Sequence, residues 1–157
     1  DPDAEVGTGF LIAGPYDNAD ARERAQAFAE ALQEHPGILL ETVQGDFSEQ
    51  SGETCTEALL SGGRTFDALF AANDNMALGA LQSLRRAGLR VPEDVMVAGF
   101  DDVPLARHLG LTTVRVHIAE LGEQALTSLI DAIEGNGMCG NRLQPVELVA
   151  RGTTGAN

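Results

Sequence analysis

Short apolar runs alternate with amphipathic segments along almost the whole chain, and this alternation most constrains the fold. Runs such as TGFLIAG (Thr8–Gly14) and FDALFAA (Phe66–Ala72) have the length of buried strands. The segment DARERAQAFAEALQEH (Asp20–His35) instead repeats its apolar residues every three or four positions, as an amphipathic helix does. A regular exchange of such strands and helices is typical of a parallel sheet covered by helices on both sides. The pattern therefore predicts an α/β fold with a doubly wound parallel sheet.

Gly, Pro and capping residues set the bounds of the predicted elements. The predicted strands are Thr8–Gly14, Gly37–Val43, Phe66–Ala72, Asp94–Phe100, Leu111–Val116 and Gln144–Gly152. The predicted helices are Asp20–His35, Glu49–Ser61, Asn75–Gly88 and Ile118–Gly135. Asp20 is expected to cap the first helix, and Asp74 or Asn75 is expected to cap the third.

Polar residues follow each of the first four predicted strands. They are Tyr16, Asp17, Asn18 and Asp20, then Asp46 and Ser48 with Phe47 between them, then Asn73, Asp74 and Asn75, then Asp101 and Asp102. Ligands of open α/β sheets bind outside the carboxyl ends of the strands. One residue of each group can cap a helix or form a turn, as we expect of Asp102 before Val103-Pro104, and the others are expected to share a crevice.

The composition excludes several kinds of chemistry. The ten basic residues are all Arg, and without Lys there is no lysine Schiff base or phosphate-loop lysine. A formal net charge of −14 argues against contact between this segment and nucleic acid. His108 and His117 lie apart from each other, with no set of Cys or carboxylate residues at the spacing of metal ligands, so no zinc site is expected. No GxSxG motif or dinucleotide fingerprint occurs, and we expect neither a catalytic residue nor a cofactor.

The cellular compartment follows from cysteine use and from missing apolar segments. Cys55 and Cys139 are the only cysteines and form no disulfide framework, which favours free thiols in a reducing, cytoplasmic compartment. The chain has no apolar start typical of a signal peptide and no apolar run of about 18 residues that could span a membrane. Because the chain does not begin with Met, we expect it to be a piece of a longer protein.

The side chains at the strand ends suit a neutral polyol. Asp and Asn accept and donate hydrogen bonds to vicinal hydroxyls, Arg offers a planar fork, and Phe offers a flat apolar face. Four charge-assisted hydrogen bonds of about 1.5–3 kcal/mol each, with stacking, suffice for micromolar affinity. A magnesium-dependent phosphotransfer site on Asp74, Asp101 and Asp102 is the weaker hypothesis, because such sites usually add a cation that neutralises the phosphoryl group.

Several segments together resemble the LacI/GalR family of bacterial transcriptional regulators. The segments are GPYDNADARERAQAF, QGDFSEQSG, FDALFAANDNMALGALQSLRRAGLRVPEDVMVAGFDD, LTTVRV with ELG, and GNRLQPVELVARGTTG. The match runs in register from about Thr8 to Gly155. The resemblance implies a periplasmic-binding-protein-like (type I) core that senses a small effector, a sugar or related polar molecule.

The resemblance also implies a domain organisation. Residues 1–116 would form the C-terminal lobe of the effector-binding core, residues 117–143 a helix and linker of the N-terminal lobe, and residues 144–157 a returning strand and tail. The DNA-binding helix-turn-helix would be absent from this chain, so operator DNA is bound only by the longer protein. The family forms homodimers, here through the helices at Ser51–Leu60 and Asn75–Ala87.

Carried over by position, the family's effector contacts fall on Arg24, Phe47, Asn73 and Asp101, with Asn18 and Asp20 beside them. The resemblance implies that Arg24 and Asp101 bind ligand hydroxyls or ring atoms, that Phe47 stacks and that Asn73 hydrogen-bonds. The sequence departs from the family at Val116, where many members have Gln, and at Gly110, where Pro is common. Asn18 and Asp20 differ from the residues of purine-binding members and favour a sugar.

Two further expectations complete the sequence interpretation. A sugar-binding receptor of a transporter shares the core fold and is the alternative function. In the helix Ile118–Gly135, an apolar face would lose its sheet when the other lobe is absent, and an exposed stripe of this kind favours association. We expect the chain to cover this face by packing on a partner chain or by reorganising its last strand. The residues of the face are Leu121, Ala125, Leu129 and Ile133, with Leu126 and Ile130 beside them.

Overall fold

A four-stranded parallel sheet forms the centre of the computed structural model, which describes residues 7–136, 140 and 143–156. The strands are β1 (Gly7–Ala13), β2 (Ile38–Gln44), β3 (Ala68–Ala71) and β4 (Met96–Ala98). Their order is β2-β1-β3-β4, and Leu11 of β1 aligns with Thr42 on one side and with Phe70 on the other. The predicted parallel sheet is confirmed, with β3 and β4 shorter than the apolar runs that predicted them.

Helices follow the strands as the alternation predicts. The helices are α1 (Ala19–Leu32), α2 (Glu49–Ser61), α3 (Asp74–Arg86), α4 (Pro104–His108) and α5 (Ile118–Glu134), with a 3-10 turn at Gly152–Thr154. The sequence pattern did not predict α4, because five residues are too few to show a helical period. Its first residue is Pro104, whose fixed φ and missing N–H suit the first turn of a helix.

Two of the predicted helix caps are wrong by one or two positions. Asn18, not Asp20, caps α1, because its side-chain oxygen accepts a hydrogen bond from the backbone N–H of Ala21 at 2.9 Å. Asn73, rather than Asp74 or Asn75, caps α3 through the N–H of Met76 at 2.9 Å. Neighbouring Asp and Asn residues are equivalent as caps in a sequence pattern, and only the path of the backbone selects one of them.

Side chains of the sheet alternate between two faces. Phe10 and Ile12 of β1 join the main buried core with Met76 and Leu84 of α3. On the other face, the ring of Phe70 stacks on the ring of Phe28 in α1, with 4.5 Å between the ring centroids. Helices therefore cover both faces, as a doubly wound sheet requires.

The last two strands differ from the prediction. β5 (Thr113–Arg115) and β6 (Glu147–Val149) pair with each other in antiparallel orientation and form a separate two-stranded sheet. Single bridges from Ala98 to Thr112 and from Asp101 to Arg115 still continue the parallel pairing beyond β4. β5 and β6 are the segments through which the chain enters and leaves α5.

The apolar face of α5 is uncovered by the described residues. No residue of α5 is buried, and Ile133 is 76% exposed. Leu126, Leu129 and Ile130 of the predicted stripe are exposed as well. Within the described ranges, no helix combines the length and the apolar character that crossing a bilayer requires.

Candidate functional site

A cavity of about 210 Å³ lies at the carboxyl ends of the parallel strands. It is lined by Asn18, Asp20, Arg24, Phe47, Asn73 and Asp101. These are the six residues that the sequence analysis selected as effector contacts, and the fold brings them together from four different strand exits. A larger open cavity of about 620 Å³, beside Thr8, Arg64 and Asp67, lies at the amino ends of the same strands, where α/β sheets seldom bind ligands.

Arg24 is held in place by groups on three sides. Its Nη1 donates a hydrogen bond to the carbonyl oxygen of Ala72 at 2.8 Å. The guanidinium carbon lies 4.1 Å from the centroid of the Phe100 ring, which is the geometry of a cation–π contact. Nη1 also lies 3.6 Å from Oδ1 of Asp101. The guanidinium plane is therefore oriented before any ligand binds.

Phe47 adopts a backbone conformation that is unusual for a bulky residue. Its φ is +71°, and its carbonyl oxygen accepts a hydrogen bond from Nδ2 of Asn73 at 2.9 Å. The ring packs against Gly14, where an added Cβ would overlap the ring. Gly14 is thus a residue that the site requires and that the sequence analysis missed, although its position at the end of β1 before Pro15 was a signal for it.

Most of the hydrogen-bonding capacity of Asn73 is used inside the protein. Its oxygen caps α3 and its Nδ2 holds the carbonyl of Phe47, and the residue is only 6% exposed. One amide hydrogen of Nδ2 remains for a ligand. Asn73 therefore positions Phe47 at least as directly as it lines the cavity.

The α1 side of the cavity is more open. Asn18 is half-buried, and its side-chain oxygen accepts the hydrogen bond that caps α1. Asp20 is exposed in the first turn of that helix. Tyr16, which also follows β1, is 81% exposed and lies outside the lining of the cavity. The carboxylate of Asp20 and the Nδ2 of Asn18 are the groups that this side offers.

Asp101 and Asp102 form a left-handed turn after β4. Their φ angles are +114° and +57°, a region that Asp and Asn enter more readily than most residues. Burial raises the pKa of Asp101, the Arg24 charge opposes that rise, and the charge of Asp74 adds to it. Asp101 is thus the half-buried carboxylate of the cavity, facing one guanidinium.

Asp74 and Asp102 lie next to the cavity, but their carboxylates are bound by other residues of the chain. Asp74 is fully buried and accepts hydrogen bonds from Oγ1 of Thr113 at 2.6 Å and from the N–H of Val103 at 2.9 Å. Asp102 pairs with Arg115 and Arg151. The three carboxylates of the magnesium hypothesis are thus engaged separately. In the part of the chain that the structure describes, no three His, Cys, Asp or Glu residues converge as metal ligands would.

Cys55 forms no disulfide with a described residue, and burial raises the pKa of its thiol, which favours the protonated form at neutral pH. Cys139, the other cysteine of the sequence interpretation, lies outside the described residues.

Comparison with known proteins gives one consistent result. Residues 8–154 match the family model described as a periplasmic binding protein-like domain. The chain is 36% identical over 151 residues to the HTH-type transcriptional repressor CytR of Escherichia coli K12, covering 92% of this chain and 44% of that protein. It is 35% identical over 146 residues to the lactose operon repressor of the same organism, covering 92% of this chain and 41% of the repressor.

Solved structures agree with these sequence matches. A dimeric Lac repressor with a C-terminal deletion and a K84L substitution superposes with a TM-score of 0.88 at 34% identity, over 96% of this chain and 56% of that one. The Lac repressor dimer bound to operator and the anti-inducer ONPF gives a TM-score of 0.87 at 34% identity, over 98% of this chain and 54% of that one. The chain spans less than half the length of the two repressor sequences it matches. The chain therefore belongs to the LacI/GalR family of transcriptional regulators and lies within its periplasmic binding protein-like domain.

Proposed function

We propose that this chain is the effector-sensing part of a LacI-type transcriptional repressor and that its cavity binds a sugar or a related small polar molecule. The observation that supports this most is the convergence of Arg24, Phe47 and Asp101 at the carboxyl ends of the sheet. Operator DNA would be bound by a segment outside this chain, and the protein would act in the cytoplasm, where its operator lies.

The polar groups favour a neutral ligand. Two carboxylates, on Asp20 and Asp101, face the cavity together with one guanidinium, on Arg24. An anionic ligand would meet a net negative charge there, whereas the hydroxyls of a polyol can donate to the carboxylates and accept from the guanidinium. The Phe47 ring supplies the flat apolar face on which one side of a sugar or base can stack.

The proposed mechanism is a shift between two arrangements of the lobes. The domain division at residues 116 and 143 is part of this proposal. A ligand that binds one arrangement more tightly shifts the population toward it. Because operator binding depends on the spacing of two DNA-binding heads, such a shift changes the affinity for DNA.

We also propose that the protein acts as a homodimer, as the dimeric Lac repressor structures do. The family resemblance implies a contact through the helices at Ser51–Leu60 and Asn75–Ala87, which correspond to α2 and α3. Of these, α3 borders an open cavity of about 370 Å³ that also touches α4, and its apolar lining includes Leu78, Leu81, Val91, Leu105 and Leu109. Leu105 and Leu109 are exposed, so this surface can bury apolar area against a second copy.

The alternative functions are weaker. A transporter receptor would use the same cavity, but the similar proteins reported above are named as repressors. The phosphotransfer hypothesis depended on Asp74, Asp101 and Asp102, and two of these carboxylates, Asp74 and Asp102, already accept hydrogen bonds within the protein.

A ligand screen tests the proposal. Thermal shift and calorimetry would compare neutral hexoses and pentoses, nucleosides, and their phosphorylated forms. Asp101→Asn keeps a side chain that tolerates the positive φ and removes the charge. Asp94→Asn, which removes a carboxylate from the remote Arg90 pair, is the matched control. We expect a neutral ligand to bind the parent chain and Asp94→Asn, and to bind Asp101→Asn at least about tenfold more weakly. Binding of phosphorylated ligands alone, or binding that Asp101→Asn leaves unchanged, would contradict the proposal.

A further inference from the structure

The side chain of Asp102 is almost completely buried, and its carboxylate pairs with two arginines. It is 4% exposed. Its Oδ1 accepts a hydrogen bond from Nη2 of Arg151 at 2.6 Å, and its Oδ2 accepts one from Nε of Arg115 at 2.7 Å. Burial alone would raise the pKa of Asp102, but the hydrogen bonds from Arg151 and Arg115 hold the pKa below its ordinary value. Asp102 is therefore charged and doubly paired at neutral pH.

The two arginines come from the two segments that connect α5 to the rest of the chain. Arg115 is the last residue of β5, three positions before α5 begins, and Arg151 lies two positions after β6 ends. Arg115 also pairs with Glu147 of β6 through Nη1 at 3.0 Å. Arg151 also donates from Nη1 to the carbonyl oxygen of Leu111 at 2.8 Å. One carboxylate thus joins the outgoing and the returning segment.

The neighbouring residue, Asp101, lines the candidate ligand cavity. Its backbone N–H donates to the carbonyl oxygen of Val114 in β5 at 2.8 Å. On the far side of the same turn, the buried Asp74 holds the N–H of Val103 and the hydroxyl of Thr113. The turn 101–103 is therefore attached to β5 on both sides, and the cavity carboxylate sits at its start.

We propose that Asp102 is a positioning residue that couples the ligand site to both segments joining α5 to the sheet. The proposal rests on the proposed function only in treating Asp101 as a ligand residue. If β5 or the segment around Arg151 shifted alone, Asp102 would stay behind as a buried, incompletely paired carboxylate, which is strongly unfavourable. The turn and both segments therefore move together, and whatever fixes Asp101 also fixes them.

A hydrogen-exchange experiment on the ligand-free chain tests this coupling, so its result does not depend on knowing the effector. The variants are Asp102→Asn, Arg151→Gln and the double variant, with Asp94→Asn as the matched control. Asn is chosen at position 102 because it tolerates the φ of +57°. The experiment compares the exchange rate of the Asp101 amide with the rates of the β1 amides. Neither the Asp102 side chain nor the Arg151 side chain contacts the Asp101 amide.

We expect Asp102→Asn and Arg151→Gln each to speed exchange at the Asp101 amide by roughly tenfold more than at the β1 amides, which follow only the change in global stability. The Asp94→Asn control should speed exchange at the Asp101 amide no more than at the β1 amides. The double variant should exchange no faster than the faster single variant, because both changes break the same connection. Arg151→Lys, which keeps the charge but loses the fork, should give a smaller acceleration and guards against a variant that fails to fold.

Three results would overturn the proposal. Additive effects in the double variant would mean that Arg151 and Asp102 act independently. Exchange that speeds up equally at the β1 amides and at the Asp101 amide would mean that Asp102 stabilises the whole fold and does not act on the site in particular. An unchanged Asp101 amide in both Arg151 variants would show that the returning segment is not linked to the site. None of these readouts requires a ligand, so failure of the proposed function would be seen separately in the ligand screen.

Discussion

Arg24 and Asp101 face each other across the candidate site with 3.6 Å between Nη1 and Oδ1. This separation is too long for a direct N–H···O hydrogen bond. Nη1 donates instead to the carbonyl oxygen of Ala72 at 2.8 Å. Both charged groups therefore retain hydrogen-bonding capacity for a third partner in the cavity that they line.

Replacing Arg24 by Lys should weaken ligand binding with little loss of stability. Lys keeps the positive charge but lacks the planar fork, so it cannot hold the Ala72 carbonyl, the Phe100 ring and a ligand oxygen at once. Loss of one charge-assisted hydrogen bond predicts about a tenfold to a hundredfold rise in Kd by calorimetry. Arg22→Lys is the control, since Arg22 is on the same helix and its side chain donates to the Tyr16 carbonyl, outside the cavity. Equal effects of the two substitutions would contradict the assigned role.

Stability in acid should depend on Asp102 in a defined direction. Its pKa in the folded chain lies below the ordinary value of 3.8, so its stabilising contribution is fully present above that value and is lost as the pH falls through the folded pKa. Asp102→Asn should therefore lower the free energy of unfolding at pH 7 and flatten its decline below about pH 4. Urea denaturation at several pH values measures both effects.

Asp101 is a control for that experiment, because its ionised carboxylate should affect the free energy of unfolding in the opposite direction. Burial raises its pKa in the folded chain, so its ionised form opposes folding above that pKa, and the penalty disappears as the pH falls below the ordinary value of 3.8. Asp101→Asn should thus lose less stability at pH 7 than Asp102→Asn, or gain some. A larger loss for Asp101→Asn would show that the two carboxylates have been assigned the wrong roles.

The contact between α2 and α3 should be intolerant of a single methyl group. A Cβ added to Gly79 would overlap the backbone carbonyl oxygen of Glu49, so the two helices would have to separate. Gly79→Ala should lower the free energy of unfolding by about 1–3 kcal/mol, as overpacking usually does. Gly122→Ala in α5 is the matched control, because a Cβ there meets nothing within 4 Å. Its stability should be unchanged or higher by up to about 1 kcal/mol, from helix propensity.

The sequence predicted the sheet and the site because both depend on local patterns. Strand exits carry the polar residues, and parallel strands bring their carboxyl ends to one edge, so Phe47 and Asp101 could be placed at one crevice before their distances were known. Arg24 lies inside α1, and only the family resemblance selected it. Whether they bind an effector stays a prediction. The caps at Asn18 and Asn73 could not be selected, because adjacent Asp and Asn residues differ only in backbone φ and ψ, which the pattern does not encode.

Long-range pairs were beyond the reach of the sequence. Asp102 was expected to be a turn residue, and its positive φ agrees, but its two partners lie 13 and 49 positions away. No periodicity links residues at such separations. The antiparallel pairing of β5 with β6 was missed for the same reason, since their meeting depends on the long connection through α5.

The apolar face of α5 should make this chain self-associate. Leu129 and Ile133 are both exposed, and together with Leu126 and Ile130 they form a continuous apolar stripe on one side of the helix. Light scattering at tens of micromolar should therefore show species larger than a monomer. Leu129→Glu with Ile133→Glu should reduce this association, because each carboxylate would have to be buried unpaired at the contact.

A second pair of substitutions separates this surface from the proposed dimer surface at α4. Leu105→Glu with Leu109→Glu changes two exposed leucines beside the apolar cavity next to α3 and leaves α5 intact. If only the α5 pair abolishes association, the contact runs through the exposed apolar stripe of α5. If only the α4 pair does, the chain dimerises as proposed for the repressor, and the exposed stripe of α5 contributes nothing measurable. A chain that stays strictly monomeric without either pair would contradict both surfaces, because apolar side chains exposed on this scale would then be tolerated in water without a partner.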